Sequence, residues 1–410
     1  MVRITEPEFQ TFFIGQGVSV IGTWMTRMAT GWLVYRLTGS PLFLDVAGFA
    51  GQIVPVLLQP LEGARVERMD RGKLLIWTQV AAAIQSLVLA VLTLGHIVAI
   101  WGIIVLSALH GLINAFDVPG RQSFFIRMID DRSDLGNAIA LNSTMVNGAR
   151  LLGLALPGVA IGLVGEGGCF LNDAMSYMAV IASVLIMTIL PVEISRTADN
   201  LFGQMREGWD YDRTFPPVRT ILLLFAIVSL MGYPYMVLLP IFAGRVFLGG
   251  PHALGRLTAA SGAGTLISAL SLAFRKSVVG LTRMIGMRSA TLGIALSLFG
   301  FSHRFALSLL LMGFAGLGMM QYAVASNTIM QTLVPEDKRA RDINYYAMAY
   351  FGAAPIGSLP TGALSQKIDV FDTIIIAGIF CFLGSVWFSL QIPKNRNAHA
   401  PDLSGNGAYA

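Results

Sequence analysis

Charge is scarce in this chain. Only 12% of its 410 residues are Asp, Glu, Lys or Arg, while 55% are hydrophobic and the mean hydropathy is +0.67. So few polar groups cannot solvate the surface of a soluble protein of this length, which excludes water as the solvent for most of the molecule. Cysteine is nearly absent. Cys169 and Cys381 fall in apolar stretches of different halves and read as buried small hydrophobes, not as a disulfide or metal site. The five histidines form no cluster with Cys or carboxylates at catalytic or metal-ligand spacing, and no Gly-x-x-x-x-Gly-Lys loop occurs for ATP. No enzyme activity, resident cofactor or metal is therefore expected. Residues Met1 to Gln10 carry Glu6, Pro7 and Glu8 and lead into a long apolar stretch without a small-residue cleavage site, so no removable signal peptide is expected.

What the chain has instead is long apolar runs. A hydrocarbon core of roughly 30 Å needs about 20 helical residues, because backbone amides in lipid must be satisfied within their own segment. Twelve stretches qualify: residues 9–37, 42–62, 73–95, 98–117, 136–164, 168–190, 218–243, 252–275, 285–301, 304–327, 342–365 and 370–392. The fold class is thus an all-α membrane protein of twelve transmembrane helices in two six-helix bundles. Basic residues in short loops resist translocation and set orientation. Of the 28 Lys and Arg, 21 lie in the amino-terminal stub, the even-to-odd connections and the tail; Arg36, Arg245, Arg256, Arg304 and Lys367 lie at the opposite face, and Arg27 and Arg150 fall inside spans. A multi-pass protein of a bacterial-type inner membrane with both termini cytoplasmic is expected. The bases are scattered over loops and form no patch for nucleic acid.

The longest polar connection divides the chain. The expected organisation is an amino-terminal bundle (1–192), a cytoplasmic linker (193–217), a carboxy-terminal bundle (218–393) and a disordered cytoplasmic tail (394–410). The linker mixes Arg206, Glu207, Asp210, Asp212 and Arg213 with Trp209 and Tyr211, which suits an amphipathic segment on the membrane surface; a disordered strap is the alternative. Ile129 to Asn137 after span four and Val334 to Asp342 after span ten are related turns, acid-rich then basic, 205 residues apart. Parallel six-span repeats around a midplane cavity are the expected architecture of a rocking transporter.

The sharpest motif joins spans two and three: Gly63-Ala-Arg-Val-Glu67-Arg68-Met-Asp70-Arg71-Gly-Lys73. It resembles the signature of the major facilitator superfamily. The resemblance implies a cytoplasmic gate lock in which Gly63 permits close helix contact, Glu67 faces the amino end of span eleven, and Arg71 reaches an acid on span four, where Asp117 ends the span. An ordinary solvated basic loop is the bland alternative. Ala115 to Phe124, Asn137 to Ser143, Asn147-Gly-Ala-Arg150, Tyr235 to Pro240 and Gly352 to Ser358 are similar to the branch holding the enterobactin exporter and macrolide-efflux proteins. The chain departs from that branch at Ala340-Arg341-Asp342 and at Pro157-Gly158 in span five, where the proline is displaced.

Ionisable residues within spans cost about 2.5 kcal/mol or more each in lipid and face protein or a wet cavity. Asp45, Asp173, Arg27 and Arg150 qualify. Asp173 or Asp45 is a candidate proton-coupling acid with Arg27 or Arg150 as switching partner; static ion pairs between helices are the alternative. Asn147 lies one turn before Arg150, a pair suited to an anionic or catecholate ligand or to helix packing. His110 is a candidate relay or a packing residue. Trp24, Asn147, Arg150, Tyr235, Tyr322 and Phe351 are the candidate cavity residues, with interfacial anchoring as the alternative for aromatics near span ends.

These readings converge on a secondary transporter exporting a small amphipathic molecule by alternating access, by proton antiport. Its expected partners are a small-molecule substrate, protons and the lipid bilayer, and it is expected to work as a monomer. The alternatives are catecholate siderophore export specifically and, in another class, a non-transporting membrane sensor or scaffold on the same fold.

Overall fold

The computed structural model describes residues 7–66, 70–127, 138, 141, 142, 144–146, 148, 149, 152, 153, 156–186, 216–274, 280–333, 352, 353 and 355–398. Among these, the regular elements are helical: α1 (Pro7–Thr38), α2 (Pro41–Val66), α3 (Arg71–Leu94), α4 (Ile100–Arg127), α5 (Pro157–Ile186), α6 (Pro216–Met231), α7 (Tyr235–Ile241) with a π-helical turn (Phe242–Val246), α8 (Gly250–Ala273), α9 (Leu281–Phe301), α10 (Phe305–Leu333) and α11 (Val370–Ala398). Residues 355–368 are also helical. Proline opens α1, α2, α5 and α6, where its missing N–H is one the first turn leaves unbonded in any case. Asp70 caps α3, its side chain accepting from the amides of Gly72 at 3.0 Å and Lys73 at 3.2 Å.

Eight segments among the described residues are long and apolar enough to cross a bilayer. Their outer faces carry Trp77, Trp101 and Leu163 at 67–78% exposure. On a soluble protein such a surface would drive aggregation, whereas in lipid it is the solvated face.

The seventh span and the carboxy-terminal end depart from the expected spans, while α5 breaks at Gly165, where the fifth and sixth expected spans part. The seventh span is broken: α6 stops at Met231, residues 232–234 form a turn, and α7 resumes at Tyr235. Pro234 cannot donate a helical hydrogen bond and its ring crowds the preceding turn. Pro240 lies inside α7, and the chain then widens so that the Phe247 amide bonds the Phe242 carbonyl at 2.9 Å, five residues back. In α5 the backbone breaks at Gly165 (φ 69°, ψ 177°), so 157–164 and 166–186 are two helical pieces meeting at a corner that only glycine enters readily. At the other end, α11 runs on through Ala398, beyond the expected start of a disordered tail at 394.

The chain clusters into two compact units. The first comprises Met1–Asp199, Met236–Gly262 and Ser358–Val370; the second comprises Asn200–Tyr235, Ala263–Gly357 and Phe371–Ala410. Within the first, Phe12, Leu75, Phe124, Phe125, Val180 and Val184 form one buried cluster that ties α1, α3, α4 and α5. Small residues let helices meet at the backbone: a Cβ on Gly111 of α4 would stand 2.5 Å from the Gly51 carbonyl of α2. The same holds between α5 and α8, where a Cβ on Gly158 would stand 2.6 Å from the Gly255 Cα.

In the second unit, a Cβ on Gly293 of α9 would lie 2.6 Å from both the Gly378 carbonyl oxygen and the Phe382 amide of α11. Phe225 of α6 packs on Tyr322 of α10 with ring centroids 5.0 Å apart. The α9–α11 contact thus has no room for a side chain. Gly293→Val is expected to destabilise the protein by about 1–3 kcal/mol through overpacking. Thermal unfolding in detergent would show a lowered midpoint, while Gly102→Ala, at a glycine with nothing within 4 Å, leaves it unchanged.

Candidate functional site

Asp117 is buried in α4, which continues past it to Arg127, so this acid lies within the helix and does not end it. Arg121, one turn later, pairs with it. From α3, Thr78 Oγ1 donates to its Oδ1 at 2.9 Å and Gln79 Nε2 at 2.7 Å. The carboxylate is therefore saturated by α3 and its own helix. Gly63 is helical at the end of α2 and Arg71 opens α3, but their surroundings, and Glu67 and Arg68 altogether, lie outside the described residues. Asp70 serves as the α3 cap, and its 4.0 Å contact with exposed Lys73 contributes little.

Asp173 of α5 has no exposure. Ser86 of α3 donates to its Oδ2 at 3.0 Å, Ser176 donates to its backbone carbonyl at 2.7 Å, Oδ1 has no hydrogen-bond partner among the described residues, and α1 approaches through Gly22, whose Cβ would stand 2.6 Å from Oδ1. One turn along α5, the Tyr177 hydroxyl meets Thr23 Oγ1 at 3.1 Å. The result is a polar seam inside the amino-terminal half, walled by α1, α3 and α5. Asp45 of α2 is equally enclosed. Neither of its carboxyl oxygens has a hydrogen-bond partner among the described residues, and a Cβ on Gly362 would come within 2.8 Å of its Cβ.

Arg27 stands apart from Asp173. Gly22, which touches Asp173, and Arg27 are separated by about 140° around α1 at 3.6 residues per turn, so the expected Arg27–Asp173 switch is not brought together. No ion pair among the described residues includes Asp173. Arg27 is exposed, with its guanidinium carbon 5.4 Å from the centroid of the Trp24 ring. Tyr235 and Tyr322, expected at a cavity, are enclosed in this conformation. Asn147, Arg150 and Phe351 lie outside the described residues.

Sequence reasoning did not single out Ser86, Thr23 or Tyr177, nor Glu166, which is buried and accepts from Arg36 Nε at 2.8 Å. For Glu166 a signal existed: a lone acid next to the glycine between two spans, with Arg36 at the end of another.

The described residues thus form a helical membrane protein whose buried acids sit between closely packed spans. Among solved structures the fold is similar to nucleoside transporter NupG (TM-score 0.73, 12% identity, 94% of this chain and 99% of that one) and to a bacterial homologue of the iron transporter ferroportin in its inward-facing state (TM-score 0.71, 16% identity, 93% and 97%). The chain belongs to the transmembrane secretion effector family of the major facilitator superfamily, whose family model matches residues 3–404. It is similar to the staphyloferrin A transporter of Staphylococcus aureus (25% identity, 90% of this chain and 92% of that one), macrolide efflux protein A of Streptococcus pyogenes (21%, 90% and 92%) and the multidrug efflux pump Tap of Mycolicibacterium fortuitum (23%, 92% and 93%). These relatives are transporters, not enzymes, and the chain is a multi-pass membrane transporter.

The Asp117 cluster carries a stability prediction. Arg121→Gln leaves a buried carboxylate without its cation and is expected to cost about 3 kcal/mol or more, whereas the double variant Asp117→Asn with Arg121→Gln removes both charges and recovers part of that loss. A double-mutant cycle of detergent melting midpoints would measure the difference.

Proposed function

We propose that the chain exports a small amphipathic molecule from the cytoplasm across the inner membrane, by alternating access, in exchange for protons. The observation that carries this reading is Asp173: an acid wholly enclosed in the bilayer-spanning part of the amino-terminal half, bonded on one carboxyl oxygen by the Ser86 hydroxyl, with no described hydrogen-bond partner on the other, and outside every described ion pair. A static structural role for an acid at this depth calls for a cation beside it. Hydroxyls can hydrogen-bond either protonation state, donating to a carboxylate or accepting from a carboxylic acid. Asp173 thus suits a group that takes up a proton in one conformation and releases it in another.

The efflux direction draws support from the named relatives, a macrolide efflux protein and a multidrug efflux pump. A second reading in the same class, siderophore export, is favoured by the similarity to the staphyloferrin A transporter over nine-tenths of the chain. The gate around Asp117 fits either reading. With both termini cytoplasmic, Asp117 and Arg121 lie toward the cytoplasmic side and hold α4 to α3 there.

Everted membrane vesicles carrying the full chain provide the test. Addition of erythromycin, or of 2,3-dihydroxybenzoylserine for the siderophore reading, is expected to release protons from a pre-acidified lumen, read by the recovery of a pH-sensitive acridine dye. Asp173→Asn is expected to reduce the response at least tenfold while the protein still reaches the membrane. A full response in the Asp173→Asn variant rejects the coupling role, and wild-type vesicles silent to both solutes and to a wider amphiphile panel reject proton-coupled export.

A further inference from the structure

We propose that Asp45 is a proton-operated latch on the outward gate: as a neutral acid it lets α2 close against helix 355–368, and its ionisation parts them. This adds a regulation to the exporter reading and rests on it. Asp45 lies four residues into α2, roughly 6 Å from Pro41 at about 1.5 Å per residue, at the end of the bundle opposite the amino terminus. With both termini cytoplasmic, that end faces outward.

Asp45 has no exposure, and Gly362 is the seat that receives it. A Cβ on Gly362 would stand 2.8 Å from the Asp45 Cβ and 2.9 Å from its Cγ, so only glycine leaves room for the carboxyl. The seam continues along other helices of the first compact unit. A Cβ on Gly244 would fall 2.6 Å from Tyr35 Cζ, and one on Gly48 would touch Val237 at 3.7 Å. The outward ends of α1 and α2 are thus shut against α7, its π-helical turn and helix 355–368.

The polar groups of this seam mark it as one that opens. Neither Asp45 oxygen has a hydrogen-bond partner among the described residues, and neither has the hydroxyl of buried Ser365, one turn beyond Gly362. A buried polar group left unbonded costs about 1–3 kcal/mol, so a permanent seam would carry partners or apolar side chains here. A seam that parts gives these groups to water in its other state. No charge offsets Asp45 while it is closed. Arg27 and Arg36 of α1, His110 of α4, Arg245 after α7, and Lys367 and Asp369 past Gly362 make no hydrogen bond or ion pair with it. Arg36 instead holds Glu166, and Arg245 stands 3.8 Å from Asp369. An ionised carboxylate enclosed without water, donor or cation is far costlier than the acid, so closure selects the protonated form. By linkage, an acidic exterior holds the gate shut and an alkaline one opens it, because the closed state binds a proton that the hydrated, open state releases. Asp173 differs in keeping the Ser86 hydroxyl as a donor.

The test places nitroxide labels on Leu37→Cys and Leu248→Cys, two exposed positions at the outward end, in the full chain in lipid nanodiscs; native Cys169 and Cys381 are buried. Electron–electron double resonance is expected to show a short distance at about pH 5 and at least a threefold larger share of long distances at about pH 9. Asp45→Asn is expected to hold the short distance at both pH values. Gly362→Ala fills the seat and is expected to give long distances at both. The latch is overturned if the wild-type distances do not respond to pH, if Asp45→Asn responds as the wild type does, or if Gly362→Ala closes at about pH 5 as the wild type does. If Asp45→Asn fails to fold, Asp45→Ser and Gly362→Ala decide by the same criteria. The exporter reading fails separately: a pH-responsive gate in a protein whose vesicles stay silent to every solute rejects export and keeps the latch, whereas proton-coupled export with a pH-indifferent gate rejects only the latch.

Discussion

Lipid cannot hydrogen-bond a peptide group, and this constraint governs everything else in the molecule. Backbone amides must close within their own helices, so the elements are long helices broken only where a proline or glycine dictates, as at Pro234 and Gly165. Helix association gains nothing from hiding apolar surface that lipid already solvates. It relies on close packing, and so Gly51 meets Gly111, Gly158 meets Gly255 and Gly293 meets Gly378, where backbone approaches backbone. The remaining polar side chains have to be matched to one another at short range. Ser86 reaching Asp173, and Thr78, Gln79 and Arg121 converging on Asp117, are the outcome.

The same constraint separates the charged groups by role. Asp117 is saturated with donors and behaves as a structural clamp between α3 and α4. Asp173 is enclosed beside the Ser86 hydroxyl, a neutral partner that tolerates either protonation state. Asp45 is enclosed with no described donor at all, against the backbone of Gly362. Arg27 is the exposed one, beside the Trp24 ring on α1. Four charges in one apolar body thus occupy four physically different settings, which composition alone would have treated as equivalent.

Much of the fold was legible in the sequence because hydropathy acts locally and additively: runs of apolar residues of bilayer length mark spans wherever they occur. The breaks were less legible. A proline in a span signals a bend, but whether it kinks, widens or interrupts the helix, as at Pro234 and Pro240, depends on which neighbours satisfy the freed carbonyls. For the site, rarity was the signal: Asp45, Asp173 and Arg27 were visible as charges where charges are costly. Their partners were not, since Ser86 and Asp173 lie 87 positions apart and serine in a span is unremarkable. Arg27, one of the two expected switching partners, is not brought beside Asp173 here, because helical phase turns it about 140° from Gly22, a relation that shows only once Gly22 is seen to face Asp173. Asp117 was placed at a helix end because hydropathy falls there, while the helix itself continues into polar sequence.

Gly165 and its neighbour Glu166 have a mechanical consequence. The glycine turns the chain sharply between two helical pieces, and the very next residue is anchored by Arg36 near the end of α1. A corner of this kind works as a braced elbow: the bend is made by a residue free to adopt it and then stiffened from outside by a salt link, so a push on the end of α1 is handed to the start of the segment bearing Asp173 instead of being lost in a slack loop.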